Sequence, residues 1–67
     1  MTENPLKNRE IIFEFFPLGA YVKVTAMDVA TLTEVSVQGA KGATKEYLQS
    51  NAMKRLAFVM RKKGLIE

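Results

Sequence analysis

A chain of 67 residues with a net charge of +3 carries neither cysteine nor histidine. Disulfides and zinc–thiolate sites are thereby excluded, and the commonest transition-metal ligand and general base is missing. One domain of this size buries only roughly 60% of the surface that its unfolded chain exposes, so self-association is the remaining way to add buried area.

The charge is unevenly placed. Residues 44–63 hold Lys45, Lys54, Arg55, Arg61, Lys62 and Lys63 against the single acid Glu46, while the rest of the chain has four basic and six acidic residues. No apolar run approaches the ~18–20 residues of a membrane span, and no membrane association is expected. Residues 1–8 are polar, contain Pro5 and show no signal-peptide pattern. They are expected to form a disordered lead-in to a single domain over residues 9–67, in a cytoplasmic protein.

The first strand is predicted from about Arg9 to Phe16. Within it Ile11, Phe13 and Phe15 share one face, and Ile12 and Phe16 share the other with Glu10 and Glu14. Pro17-Leu18-Gly19-Ala20 punctuates the chain. A second strand follows from about Tyr21 to Asp28, with Val22, Val24 and Ala26 alternating against Tyr21, Lys23, Thr25 and Met27. Pairing Phe16 with Tyr21 sets Glu14 against Lys23, Phe13 against Val24 and Phe15 against Val22, which matches charges and apolar groups across the hairpin.

Asp28 and Thr31 are turn formers whose side chains bond nearby backbone. A loop from Val29 to Leu32 leads to a third strand, about Thr33 to Gln38, with Ala26 opposite Val35, Thr25 opposite Ser36 and Val24 opposite Val37. Gly39-Ala40-Lys41-Gly42-Ala43 reads as a flexible connector. Thr44 is a good N-cap and Glu46 suits the first turn of a helix from about Lys45 to Lys63. Leu48, Ala52, Leu56, Val59 and Met60 form its core stripe. Gly64 is the expected left-handed residue past its end, with Leu65 closing a Schellman motif. The fold class is α+β: a three-stranded antiparallel meander with one C-terminal helix packed on one face, βββα.

One helix covers one face. The second face then carries Ile12, Phe16, Tyr21 and Met27 among charged and polar residues. Scattered apolar side chains on a wet face are ordinary, but four on one small sheet make a candidate interface for a homodimer or another protein partner. Burying them contributes on the order of 6–10 kcal/mol gross, much of it offset by the cost of association. The open edges of the sheet are a second route to the same end.

The alternative is a nucleic-acid-binding module that uses Tyr47, Lys54, Arg55, Arg61 and Lys62, since aromatic and basic residues are the usual ingredients of such a surface. Against it, Tyr47 and Phe58 are expected to fold over the sheet edge, and the terminal cations complement the helix dipole. GAKGATK, residues 39–45, has neither the spacing nor the βαβ setting of a phosphate loop. No catalytic residue, metal or cofactor is expected. Glu10 and Glu14 lie roughly 13 Å apart on a strand, beyond a glycosidase pair, and Ser36 and Ser50 have no histidine to activate them.

Two resemblances arise. The βββα order, the Gly-rich connector, Thr44-Lys45, and Leu48, Ala52 and Leu56 resemble the second half of a double-stranded-RNA-binding domain. That family opens its last helix with a hydroxyl-Lys-Lys-x-Ala-Lys pattern whose lysines grip phosphates. Here only Lys45 matches, and Glu46 and Gln49 stand where other basic residues would, so the resemblance implies shape and not RNA binding. Arg9 to Phe15, Val22 to Asp28 and Thr33 to Gly39 resemble a family of small bacterial proteins of unknown function, about 70 residues long, in which a Pro-x-x-Gly turn follows the Asp. This chain has Val29-Ala30-Thr31-Leu32 instead. That resemblance implies the fold and no activity.

Overall fold

A computed structural model describes residues 6–67. Three strands, β1 (Ile11–Leu18), β2 (Tyr21–Asp28) and β3 (Thr33–Ala40), precede one helix, α1 (Lys45–Lys62). The strands form one antiparallel sheet in the order β1-β2-β3, so the chain is a βββα α+β domain. Residues 1–5 of the expected lead-in lie outside the described residues. Leu6 is only 2% exposed and joins the core, so the packed body begins before Arg9.

The β2–β3 register is the expected one, with Ala26 opposite Val35 and Val24 opposite Val37. The β1–β2 register differs. Leu18 pairs with Tyr21, Phe16 with Lys23, Phe15 with Val24, Glu14 with Thr25 and Phe13 with Ala26. Pro17 and Leu18 thus belong to the strand and not to the turn. Gly19, at φ +68, supplies the positive φ that a two-residue hairpin loop needs at its first position. Both registers pair eight residues of each strand, and the Glu14–Lys23 pairing given up in the observed one is worth only about 0.2–1 kcal/mol. The shift is two residues, and strand side chains alternate with period two, so every side chain keeps its expected face.

β3 also runs further than expected, through Gly39 and Ala40. Gly39 is no flexible link: a Cβ there would collide with Cδ2 of Leu48. Its bare backbone lets the first turns of α1 lie directly on β3. The true connector is Lys41 to Thr44.

Helix ends follow the expected chemistry. Thr44 Oγ1 accepts a hydrogen bond from the Tyr47 N–H (3.1 Å). At the other end Gly64 has φ +76, its N–H donates to Arg61 O (3.0 Å), and the Leu65 N–H donates to Met60 O (2.9 Å); these two bonds are the Schellman pattern. Leu48, Ala52, Leu56, Ala57 and Met60 are the buried helix residues, and Val59 is half-buried.

The helix lies across β2 and β3. Its buried face meets Val24, Ala26 and Val35. A helix about 10 Å wide spans roughly two strands spaced about 4.8 Å apart. Ile11, Phe13 and Phe15 on β1 were expected beneath the helix stripe, and they are instead half-buried at the margin of the core.

Candidate functional site

The outer face of the sheet is built in rows set by the strand register. Ile12 lies beside Met27 and Glu34; Glu14 beside Thr25 and Ser36; Phe16 beside Lys23 and Gln38; Leu18 beside Tyr21 and Ala40. Ile12, Phe16, Leu18 and Tyr21 are each 41–44% exposed, and Met27 is half-buried. Lys23 holds its Nζ 5.5 Å from the Phe16 ring centroid, so the cation covers part of the ring.

The four residues anticipated as one patch therefore divide. Phe16 and Tyr21 are brought together with Leu18, which the turn reading had hidden. Ile12 and Met27 stand apart, roughly 13 Å along the strand from Phe16, beyond the polar row of Glu14, Thr25 and Ser36. The signal that finds Leu18 is the Gly19-Ala20 dipeptide. A two-residue turn placed there puts Leu18 on the same face as Phe16.

β1 is also an edge. Antiparallel strands alternate bonded and non-bonded residues. The Val29 N–H donates to Glu10 O (3.1 Å), which fixes the even-numbered residues of β1 as those bonded to β2. Backbone groups of Ile11, Phe13 and Phe15 thus point away from the sheet. Pro17, which has no N–H, sits where that N–H would face the open side.

The helix turns a second surface to solvent. Tyr47 is 61% exposed and Phe58 49% exposed, so neither ring folds over the sheet edge as expected. Arg55 Cζ and Lys62 Nζ lie 5.5 and 5.7 Å from the Phe58 centroid. Lys54 and Arg61 are exposed on the same side, and Arg61 Nε donates to Glu67 O (3.3 Å).

A third cluster joins the expected Asp28–Thr31 turn to Arg9, a partner that the sequence does not reveal. Asp28 is 0% exposed. Its Oδ2 accepts from Arg9 Nη1 (3.0 Å), from the Thr31 N–H (3.1 Å) and from the Thr31 hydroxyl (2.7 Å). Thr31 has then spent its hydroxyl proton, so Thr33 is the donor in the 2.8 Å contact between the two hydroxyls. Arg9 Nη2 reaches Leu65 O (3.4 Å). One guanidinium therefore joins the chain's entry to β1, the β2–β3 turn and the cap of α1. Asp28 Oδ1 has no hydrogen-bond partner among the described residues. The cluster has a single carboxylate, and its contacts are those of a structural clasp.

Between the first half of α1 and the inner side of β1 runs a groove of about 630 Å³, with Ile11, Phe13 and Met53 among its apolar walls and Arg9, Glu46, Gln49 and Ser50 among its polar ones. It marks where the helix stops short of β1. No group of three metal-ligating side chains occurs among the described residues, and no helix there is long and apolar enough to cross a membrane.

Residues 8–63 match the family described as Domain of unknown function (DUF6898). The chain belongs to this family. Nothing among curated proteins or solved structures matches it. The DUF6898 span takes in Arg9, the whole sheet and all of α1, and ends just before Gly64. Within it, Leu32 adopts φ +59. A Pro-x-x-Gly turn would place its glycine at this position, and here leucine itself takes the left-handed conformation. The Leu32 N–H to Asp28 O bond (2.7 Å) closes the turn.

Proposed function

We propose that this chain is a small non-enzymatic interaction module that self-associates, in a cytoplasmic setting, through the parts of its sheet the helix leaves uncovered. The observation that carries the reading is the exposure of Ile12, Phe16, Leu18 and Tyr21 on the outer face of the same hairpin whose β1 edge no strand covers among the described residues. A domain of this size gains stability by covering such surface. Light scattering after size exclusion tests it. At about 100 μM, a concentration that populates even modest dimers, the expected mass is twice the 7.5 kDa of one chain. A monomer at that concentration overturns the reading.

The exposed Phe58 bracketed by Arg55 and Lys62 supports a second reading, in which the helix contacts nucleic acid with Tyr47, Lys54 and Arg61 alongside. Aromatic stacking platforms flanked by cations suit single strands. Retardation of single-stranded RNA or DNA at about 50 mM salt, falling steeply as salt rises, is the expected result. Binding that is absent at that salt, or unchanged in Arg55→Glu, removes this reading.

A further inference from the structure

We infer that two copies of this chain join antiparallel through the open edge of β1, with Phe13 on the two-fold axis, giving one continuous six-stranded sheet. The inference rests on the self-association reading and names the surface and register that carry it.

Three observations converge on this edge. First, the backbone N–H and C=O groups of Ile11, Phe13 and Phe15 face away from β2, and no strand lies beside them among the described residues. An unpaired row of this kind is a template for another strand. Second, the inner side chains of the same three residues are only half-buried, because α1 lies over β2 and β3. Third, the sequence of β1 is self-complementary in one register. With Phe13 on the axis, Phe13 meets the partner's Phe13, and Ile11 meets the partner's Phe15 on each side. Every outward N–H and C=O of the three residues is then paired.

Neighbouring registers are worse for identifiable reasons. Moving the axis to Glu14 sets two Glu14 carboxylates directly opposite each other, and like charges so placed repel. It also puts Pro17 opposite Ile11 with no N–H to give. Moving the axis to Phe15 sets Pro17 against Phe13 and loses the same donors. With Phe13 on the axis, Pro17 falls opposite Arg9, which precedes β1, so no carbonyl of Ile11, Phe13 or Phe15 depends on the donor that proline lacks. The contact is isologous and closes on itself, as most homodimers do. Five paired residues a side fall short of a standard interface of about 800 Å² per partner, so the dimer dissociates on dilution.

The absence of native cysteine makes crosslinking clean. In this register Ile12 faces the partner's Glu14 as a non-hydrogen-bonded pair, with Cα atoms about 4.5 Å apart, within disulfide reach. A mixture of Ile12→Cys and Glu14→Cys chains, oxidised together, is expected to give the mixed disulfide in preference to either homodimer. A synthetic chain carrying an N-methyl group on Phe13 keeps every side chain and every β1–β2 bond. Its dimerisation is expected to weaken at least about tenfold, with circular dichroism unchanged. A wild-type chain that stays monomeric overturns both this inference and the self-association reading. A dimer that survives N-methylation overturns the edge contact and assigns association to the outer face, whereas preferential homodimer crosslinks of either variant overturn the register, because an axis at Ile12 or Glu14 sets like positions opposite each other.

Discussion

Asp28 ties the β2–β3 turn to the start of the sheet. Its one bonded oxygen takes three donors, and one of them belongs to Arg9, nineteen positions away in the chain. Asp28→Ala is expected to cost about 2–3 kcal/mol, because it removes the carboxylate from a partly buried guanidinium and unties the turn together; urea unfolding followed by circular dichroism measures this. A loss under about 1 kcal/mol would mean that the clasp is decorative. Leu32 poses the opposite case. It is 70% exposed and sits at φ +59, so its side chain contributes little burial and its backbone is strained. Leu32→Gly is expected to raise stability by about 0.5–1 kcal/mol, since the relief of a left-handed leucine exceeds the added chain entropy. A lower melting temperature in that variant would contradict the account of the turn. Asp28 and Thr31 were legible as turn formers from their chemistry. Arg9 was not, because nothing local says which distant acid a guanidinium will meet.

At the scale of elements, the contact between β3 and α1 depends on a missing atom. Glycine usually loosens a chain, so Gly39 by itself suggests a linker, yet here it allows close approach. Gly39→Ala is expected to destabilise by about 1–3 kcal/mol through collision with Leu48, and Leu48→Ala by about 2–5 kcal/mol through lost packing. The double variant should cost clearly less than the sum, because the new methyl fills space the leucine has left. Strict additivity in denaturant titrations would show that the two residues do not touch. The strands and helix themselves were legible from alternation, helical spacing and the caps. The pairing of β1 with β2 was not, because the expected register maximised side-chain pairs and overlooked that an edge strand tolerates proline.

At the scale of the whole molecule, one helix on three strands leaves an imbalance. β1 has a margin of half-covered apolar side chains inside, exposed ones outside and an open edge. Pro17 limits how far that edge can pair. Pro17→Val restores a donor there and admits longer or slipped pairings. The variant is therefore expected to form larger or more heterogeneous assemblies than the parent at equal concentration, as light scattering would report. If its mass distribution matches the parent's, proline is not what bounds the edge.

Local patterning by itself determined the element order, the two faces of the sheet, the buried helix residues other than Ala57, and the chemistry of both helix ends. These properties depend on residues within a few positions of one another, and the faces withstand a two-residue slip because the strand period is two. Only the tertiary structure decided that the helix covers β2 and β3, that Leu18 joins Phe16 and Tyr21, that Arg9 closes on Asp28 and that Tyr47 and Phe58 stay in solvent. Each of these depends on how a helix about two strands wide settles on a sheet of three, and that choice is made by packing across the whole domain, where no short stretch of sequence carries the answer.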